Sequence, residues 1–398
     1  MTNYQDAPAP SQFGIDEQLL KVEFPIRETR VYLNNASIGP LPTRSVRAAR
    51  QYLEQQLASA NAYYTQWDET AQCARERFAS LINATPSEVG LVGNTTKGLL
   101  LLANGLEWQN GDNVVLPEFE FPANIYPWKN LEAKGVTLRF VPERDGRFEL
   151  EDFARLIDAR TKVLTVSFVE YSTGFRQNLE ALGRLCRQHN VIFCVDAIQG
   201  IGVIPLDVKA AEIDFLALDG HKWLLGPYGI GFLFCRRELM DRLQGFRGWM
   251  SVKQPGNYSD CDQPLAESAR RFEEGSLNYL GLYALERSVE LIGEIGVTNI
   301  YRKVMGLTRY LADGLTERGY RVVSSMAGPE RSGIVAFDSP RFKSQDLLKE
   351  LFANNIICCV RRRFVRLSPH FYNSFVEMDR VLEAISRHRV VFEKGKAA

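Results

Sequence analysis

A regular alternation between residues 89 and 236 constrains the fold of this 398-residue chain more than any other feature of its sequence. Short apolar runs recur in this region, and longer amphipathic segments separate them. The apolar runs cover residues 113–116, 136–141, 162–167, 191–195, 214–218 and 229–235, and the helix-like segments include residues 123–134, 152–158 and 179–189. Strands that alternate with helices form crossover units, so the pattern predicts an α/β fold with a mainly parallel sheet covered by helices on both faces.

The pattern of predicted helices and strands changes after residue 278. Helices are predicted at 279–295, 298–318, 344–353 and 374–388, and strands at 320–324, 333–337, 356–360 and 364–367. This pattern indicates a second, smaller α/β unit. We therefore predict an N-terminal arm at residues 1–20, a large domain at residues 21–290 and a small C-terminal domain at residues 291–398.

Charge balance and cysteine content argue against several classes of function. Lysine and arginine (48 residues) equal aspartate and glutamate (48 residues), so no overall field favours nucleic acid or a membrane surface as a partner. Seven cysteines without a Cys-x-x-Cys pair and only four histidines argue against a disulfide framework and a metal site. The first residues lack the pattern of a signal peptide, and no apolar run reaches the roughly 18 residues of a membrane span. These features predict a cytoplasmic protein.

The strongest local motif is Asp219-Gly220-His221-Lys222-Trp223, which follows an apolar strand. A lysine in a glycine-flanked loop at the end of a buried strand is placed where loss of solvent lowers the pKa of its amine. Imine chemistry requires a neutral amine, so Lys222 is a candidate nucleophile. A solvated surface lysine fits this motif equally well when the motif is taken alone.

Two further motifs lie where an α/β sheet binds ligands. Asp196 ends the apolar strand at 191–195, and a carboxylate at such an edge can keep a pyridinium nitrogen protonated, although it can also simply cap a helix. Thr95 and Thr96 open a predicted helix whose N-terminus could hold a phosphate, although a threonine cap is the simpler alternative. The segment lacks the Gly-Lys-Ser/Thr ending of a nucleotide P-loop, and Pro205 breaks a dinucleotide fingerprint at 200–205.

In this order the motifs resemble those of class V aminotransferases, which are fold-type I enzymes dependent on pyridoxal 5′-phosphate (PLP). This group includes cysteine desulfurases, selenocysteine lyases, isopenicillin N epimerase-like proteins and C–S lyases. The resemblance covers nearly the whole chain, through the segments at residues 32–36 with 39–42, 93–98, 120–128, 196–199, 220–222, 271–273 with 275–276, and 365–368 with 372–373. It implies a fold-type I α/β architecture, PLP as cofactor, a small amino acid as substrate and a homodimer.

The resemblance also implies a role for each matching residue. Lys222 would carry PLP as a Schiff base and then act as acid and base at the substrate α-carbon. The remaining cofactor ligands would be Asp196 at the pyridine nitrogen, Gln199 at the phenolic oxygen, Thr95, Thr96 and His221 at the phosphate, and Ser276 at the phosphate of the partner subunit. The substrate would be bound by Asn35 and by Arg366, whose planar guanidinium suits a carboxylate.

Four positions depart from the family's pattern. Phe121 and Pro122 replace a His-His pair of the desulfurases, so Phe121 is expected to stack on the PLP ring without relaying a proton. Tyr171 replaces an asparagine that usually touches the cofactor. Asp219 replaces a serine that often binds the phosphate, and its negative charge argues against that role here.

The largest departure concerns the type of reaction. Desulfurases carry a nucleophilic cysteine on a loop just before the strand of the substrate-binding arginine, and here residues 356–366 leave no room for such a loop. Cys358 and Cys359 are expected to be buried and inert, and Cys261 to be an exposed thiol that its aspartate neighbours make a poor nucleophile. A C–S lyase acting by β-elimination is therefore favoured. Aminotransferase and epimerase activity use the same residues and stay open, whereas desulfuration and a non-catalytic PLP-fold module are disfavoured.

Three consecutive arginines, Arg361, Arg362 and Arg363, precede the strand that carries Arg366. They could favour a substrate with a second acidic group. A solvated edge strand is the simpler alternative.

Overall fold

The computed structural model describes residues 13–244, 247–339 and 343–396, with side chains described as far as residue 387. Most of the predicted N-terminal arm, residues 1–12, lies outside this part of the chain. The first helix, α1 (Glu17–Glu23), begins within the predicted arm and buries Leu20. No helix in the described ranges combines the length and the apolar character needed to cross a bilayer.

The largest sheet has seven strands, and the four pairings from β7 to the edge strand β4 are parallel, so the sheet is mainly parallel as the alternation predicted. Its strands are β2 (Val89–Val92), β3 (Asn113–Pro117), β4 (Thr137–Val141), β5 (Thr161–Ser167), β6 (Ile192–Asp196), β7 (Phe215–Asp219) and β8 (Gly231–Cys235). Their order across the sheet is β2-β8-β7-β6-β5-β3-β4, with β8 antiparallel to both of its neighbours. Strands β6, β7 and β8 are buried along their whole length, which is why they read as continuous apolar runs.

Helices cover this sheet and connect its strands. They are α2 (Thr43–Ser59), α3 (Tyr64–Leu81), α4 (Thr95–Gly105), α5 (Tyr126–Lys129), α6 (Leu150–Leu156), α7 (Leu179–His189), α8 (Arg237–Met240) and α9 (Tyr279–Ile295). Their apolar sides form two clusters of buried side chains with the sheet, as expected for a sheet covered on both faces.

A smaller antiparallel sheet of four strands forms the second unit. Its order is β12-β13-β10-β9, from β9 (Arg321–Val322), β10 (Val335–Asp338), β12 (Cys359–Arg361) and β13 (Phe364–Leu367). The helices that contribute to it are α10 (Val297–Glu317), α11 (Ser344–Ala353) and α12 (Phe375–Lys396). A third cluster of buried side chains joins these elements to β1 (Val31–Tyr32), which pairs with β11 (Ile356–Ile357). The N-terminal segment therefore packs on the C-terminal unit, while the predicted domain boundaries stay a prediction.

Two predicted elements are interrupted in the structure. The helix predicted at 123–134 is reduced to α5, between two short 3-10 helices at Pro122–Asn124 and Asn130–Lys134. Pro122 and Pro127 lack the N–H group that a continuous helix needs, which accounts for the break. The strand predicted at 356–360 is split at Cys358, because β11 pairs with β1 whereas β12 pairs with β13.

Candidate active site

A cavity of about 290 Å³ lies beside the C-terminal ends of β6 and β7, between the two sheets. It is lined by Ala36, Ser37, Asn94, Thr95, Thr96, Phe121, Ala123, Tyr171, Asp196, Ile198, Gln199, Asp219, His221, Lys222, Tyr228, Arg361 and Arg366. Every predicted site residue except Asn35 and Ser276 is among them. A larger surface groove of about 820 Å³ near the start of α10 contains none of the predicted residues.

Lys222 lies in the loop between β7 and β8 and is 8% exposed. Burial lowers the pKa of its amine from 10.5 to about 8, and the negative charge of Asp196 opposes part of this shift. The Nζ atom lies 5.4 Å from the centre of the Phe121 ring. The amine is therefore enclosed at the cavity wall and is neutral to a large extent in mildly alkaline solution.

The backbone of the lysine loop is held against the N-terminal segment. The N–H of Gly39 donates to the carbonyl oxygen of His221 at 2.8 Å. A Cβ atom at residue 39 would lie 2.4 Å from the carbonyl oxygen of Lys222, so only glycine allows this close approach. The segment that follows β1 thus fixes the position of the lysine.

A buried histidine supports the residue after the lysine. The Nδ1 atom of His370 accepts the N–H of Phe371 at 2.8 Å, so its Nε2 carries the proton and donates to the carbonyl oxygen of Trp223 at 3.1 Å. Burial lowers the pKa of His370 to about 3, which keeps the ring neutral. The indole N–H of Trp223 in turn donates to the side chain of Gln199 at 2.9 Å. This chain of hydrogen bonds connects the C-terminal unit to the lysine loop.

Asp196 ends β6 and is 1% exposed. Its Oδ1 accepts the N–H of Ile198 at 3.1 Å, and burial raises the pKa of the carboxyl from 3.8 to about 6. Behind it, the carboxylate of Glu120 accepts hydrogen bonds from Ser167, the residue that pairs with Asp196 across β5 and β6. Burial raises the pKa of Glu120 as well, so acidic groups with high proton affinity are concentrated at this wall.

The N-terminus of α4 forms another wall of the cavity. The side chain of Asn94 caps the helix by accepting the N–H of Lys97 at 2.9 Å. The N–H groups of Thr95 and Thr96 belong to the first turn, where a helix offers no acceptor for them. The Oγ1 atom of Thr95 is buried and has no hydrogen-bond partner among the described residues. The helix end therefore offers donors for an anion.

His221 and Gln199 line the same cavity as the lysine. The His221 ring stacks on Tyr228 with centroids 4.2 Å apart, and its Nδ1 lies 3.0 Å from an oxygen of Asp219 without the alignment of a hydrogen bond. The amide nitrogen of Gln199 donates to the carbonyl oxygen of Ala36 at 2.9 Å. Because an amide nitrogen carries two protons, one remains for a ligand.

Arg366 lies on β13 and is 1% exposed, so it is not the surface charge of an edge strand. Its guanidinium donates to the carbonyl oxygen of Tyr171 at 2.6 Å and to the Oγ atom of Ser37 at 2.6 Å. The Nε atom is buried and has no partner among the described residues. Burial lowers the pKa of this guanidinium, and its unused N–H favours an anionic ligand.

Two predicted residues do not line the cavity. Asn35 is fully buried, and both ends of its amide are engaged, since it donates to the carbonyl oxygen of Ser368 at 2.8 Å and accepts from the hydroxyl of Tyr372 at 2.8 Å. It therefore anchors the N-terminal segment, and its predicted contact with the substrate stays a prediction. Ser276 is exposed on this chain, where a partner subunit would have to approach it.

Three cysteines are exposed or buried as predicted, but one of them, Cys359, contacts a residue of the cavity. Cys261 is exposed, while Cys358 and Cys359 are buried. Burial raises the pKa of Cys358. Cys359 lies opposite Arg366 in the β12–β13 pair, and its Sγ is 3.7 Å from the Oγ of Ser37, which lines the cavity.

Several residues at or near the cavity were not identified from the sequence. They are Ser37, Glu120, Tyr228 and His370. Ser37 and Tyr228 are adjacent to recognised motifs, at residues 32–36 and 220–222, so proximity along the chain was the available signal. His370 follows the segment of Arg366 by a few positions, but nothing in its neighbours indicates burial against Trp223.

The residues of the cavity fit PLP, the cofactor that the resemblance implies. The unpartnered Oγ1 of Thr95 at a helix N-terminus suits a phosphate, and the buried amine of Lys222 suits a carbonyl. The carboxyl of Asp196, with its affinity for a proton, suits a pyridine nitrogen. All three groups line the same cavity.

Known proteins with similar sequences point the same way. The family model described as Aminotransferase class-V matches residues 31–381. An uncharacterized aminotransferase of Bacillus subtilis is 30% identical over 367 residues, which cover 91% of this chain and 95% of the relative. A probable cysteine desulfurase of Methanothermobacter thermautotrophicus is 30% identical over 396 residues, which cover 91% of this chain and 96% of the relative.

The fold is also similar to that of a solved enzyme. The apo structure of a cysteine desulfurase from Thermococcus onnurineus NA1 matches with a TM-score of 0.86 and 26% identity, over 94% of this chain and 98% of the other. The similarity therefore includes both units of the fold. Because the family model spans most of the sequence, the chain belongs to the class V aminotransferase family and is a PLP-dependent enzyme of fold type I.

Proposed function

We propose that this enzyme is a C–S lyase, which cleaves the Cβ–S bond of a sulfur-containing amino acid by β-elimination. The observation that carries the proposal is the composition of the cavity. Lys222, Asp196 and Arg366 face one enclosed space, and the β12–β13 hairpin beside it has no long loop that could bring in a nucleophilic cysteine.

Lys222 would carry the cofactor and move the protons. PLP, when bound there, supplies an electron sink for the pair of electrons left when a bond to Cα breaks. The amine of Lys222, with its pKa near 8, can accept a proton from Cα and return it to the departing sulfur. Burial against Phe121 keeps water away from this amine.

Asp196 and the start of α4 would hold the cofactor in place. The Asp196 carboxylate would keep a proton on the pyridine nitrogen, because the pyridinium would supply the positive charge that compensates its burial. Thr95, Thr96 and His221 would bind the phosphate, and the free amide proton of Gln199 would bind the phenolic oxygen. Phe121 would pack on the ring.

Arg366 would orient the substrate through its α-carboxylate. Two of its N–H groups are fixed by Tyr171 and Ser37, so the guanidinium cannot swing away from the cavity. A held substrate also has its reacting bonds in a defined orientation.

The turn between β12 and β13 disfavours desulfuration. Only Arg362 and Arg363 separate the two strands, whose residues pair from Cys359 with Arg366 to Arg361 with Phe364. A hairpin this tight keeps its side chains at fixed positions. Elimination needs no second nucleophile, since the thioether substrate and one water give the thiol, pyruvate and ammonium.

Product analysis of the holoenzyme tests the proposal. The enzyme would be incubated with L-cysteine, L-cystine, S-methyl-L-cysteine and L-alanine, and pyruvate, ammonium, alanine and thiol would be measured. Equal amounts of pyruvate, ammonium and thiol (or persulfide from cystine) are expected from at least one sulfur substrate. Keto-acid-dependent amino transfer or loss of chirality at Cα without pyruvate would instead indicate an aminotransferase or an epimerase.

Cysteine desulfuration is the second candidate function. The names of the similar proteins favour it, and so does one contact, because the thiol of Cys359 lies 3.7 Å from Ser37 at the cavity wall. Desulfuration would leave a persulfide on this thiol and release alanine. Mass spectrometry of the alkylated protein after incubation with cysteine tests it, since a persulfide on Cys359 together with alanine would favour this function over elimination.

We also propose that the enzyme acts as a homodimer in which Ser276 reaches the phosphate site of the partner subunit. Ser276 is exposed in the single chain, as such a role requires. Dimer mass in light scattering, together with weaker PLP binding by Ser276→Ala, would support this role. A monomeric active enzyme would contradict it.

A further inference from the structure

The three consecutive arginines of the β12–β13 hairpin have different surroundings. Arg361 lines the cavity, whereas Arg362 forms an ion pair with Glu143 at 2.8 Å and Arg363 is 72% exposed near Asp338. Arg361 lies in β12 two residues after Cys359, so it shares the face of Cys359 and Arg366, whereas Arg362 and Arg363 form the turn. The solvated edge strand therefore accounts for two of the arginines but not for Arg361.

Arg361 and Arg366 converge on one oxygen atom. The Nη2 of Arg361 donates to the Oγ of Ser37 at 3.0 Å, and the Nη2 of Arg366 donates to the same atom at 2.6 Å. The other bond of Arg361 goes to the carbonyl oxygen of Val360 at 3.1 Å. Ser37 thus holds two guanidinium groups side by side, facing the same cavity.

Neither guanidinium has an acidic partner among the described residues, although most other arginines there do. Placing a charge in a partly buried site is unfavourable unless an opposite charge compensates it. Two like charges held by one serine add to this cost. The chain therefore presents an excess of positive charge on the side of the cavity that receives the substrate.

The α-carboxylate of a substrate can balance the charge of only one of these two guanidinium groups. The α-carboxylate takes the buried Arg366, whose Nε has no hydrogen-bond partner in the part of the chain that the structure describes. Arg361, which is less buried and nearer the solvent side of the hairpin, then remains available for a different group.

We propose that Arg361 binds a second acidic group, carried by the side chain of the amino-acid substrate. This inference rests on the proposed function, because it takes the cavity as the site of an amino acid. It narrows the substrate class to amino acids with an anionic side chain, which for a C–S lyase means cysteine conjugates that bear a carboxylate or an oxidised sulfur. Neutral S-alkyl cysteines are then poor ligands.

Binding of paired ligands to the holoenzyme tests the inference without turnover. α-Methyl-L-aspartate and α-methyl-L-glutamate have no α-hydrogen to lose, and each is compared by calorimetry with its own side-chain amide. The acids are expected to bind about 10- to 100-fold more tightly than the amides. In Arg361→Gln this preference should fall to about 1, with the affinity for the amides nearly unchanged, whereas Arg361→Lys should keep part of it.

Arg363→Gln is the matched control, because it removes a neighbouring positive charge that does not face the cavity, and it should keep the preference. The inference is overturned if wild-type enzyme binds acids and amides alike, if Arg361→Gln keeps the preference, or if that variant weakens both ligands equally. A preference for acids without pyruvate release would contradict the proposed lyase alone. Pyruvate release without such a preference would contradict this inference alone.

Discussion

The cavity has two walls of different construction, and the contrast between them explains how each is used. The cofactor wall consists of Thr95, Asp196 and Lys222. Asp196 ends β6 and Lys222 follows β7 in the seven-stranded sheet, and Thr95 begins helix α4. The substrate wall consists of Ser37, Arg361 and Arg366, contributed by the N-terminal segment and an antiparallel hairpin. The two segments of the substrate wall meet through a β-bridge between Asn34 and Ser368 and through the pairing of β1 with β11.

The two walls also differ in charge. In the cofactor wall the amine of Lys222 and the carboxyl of Asp196 influence each other, and burial shifts both of their pKa values toward the neutral forms. In the substrate wall two guanidinium groups share a serine and have no acidic partner among the described residues. The cofactor wall is therefore nearly neutral by itself, whereas the positive charge of the substrate wall requires an anionic ligand to balance it.

Replacement of Lys222 should have the largest effect, because no other described amine lines the cavity. In Lys222→Ala, kcat for pyruvate release is expected to fall by at least about 10³-fold. Steady-state assays of the variant reconstituted with excess PLP check this. Residual activity within tenfold of wild type would show that another group carries the chemistry.

Asp196→Asn should reduce activity less and make the apoprotein more stable. The loss in kcat is expected to be on the order of 100-fold, since the amide cannot keep a proton on the pyridine nitrogen. The folded carboxyl has a pKa of about 6 against 3.8 in the unfolded chain, so folding stability falls as the pH rises through that window. At pH 8 the variant should gain on the order of 2 kcal/mol.

Urea unfolding of the two apoproteins between pH 4 and pH 8 provides the measurement for this second part. The difference in unfolding free energy should shrink to a small fraction of its value at pH 8 near pH 4, where the folded carboxyl is protonated and the unfolded one is only about half ionised. A constant difference across the range would show that the buried charge of Asp196 is not its source.

Arg366→Gln acts on the other wall and should change substrate binding more than chemistry. We expect KM for the sulfur substrate to rise about 30-fold with a small change in kcat, because a hydrogen-bonded charge pair is lost. Arg366→Lys should recover little, since an ammonium cannot reproduce the fork held by Tyr171 and Ser37. Lower PLP affinity with unchanged KM would place Arg366 in the cofactor wall instead.

Cys359→Ser should have the smallest effect. The side chain is nearly the same size, the contact with Ser37 can be kept, and elimination does not use the thiol. Pyruvate release is expected to stay within about twofold of wild type. Loss of all activity in this variant, with PLP still bound, would favour desulfuration.

The cofactor wall could largely be predicted from the sequence, because each of its residues lies in a short motif that can be recognised from its neighbours along the chain. An apolar run ending in Asp196, a glycine-flanked Lys222 and a Thr95-Thr96 helix start each show the strand or helix that carries them. The order of these motifs also indicated the family, which the match over residues 31–381 confirmed.

The substrate wall was harder to predict because non-local pairing creates it. Ser37 reaches Arg361 and Arg366 only after β1 pairs with β11, and more than 300 residues separate them along the chain. For the same reason Asn35 was expected at the substrate, although Tyr372 and Ser368 bury its amide. The break of the helix predicted at 123–134 could have been anticipated from Pro127, whose restriction is local.

The attachment point of the cofactor can be measured directly. The holoenzyme would be reduced with borohydride, digested and examined by mass spectrometry for a peptide that carries the pyridoxyl phosphate group. The group is expected on Lys222, with no modification in Lys222→Ala. Attachment at another lysine, or a wild-type protein that takes up no PLP, would contradict the assignment of this cavity as the active site.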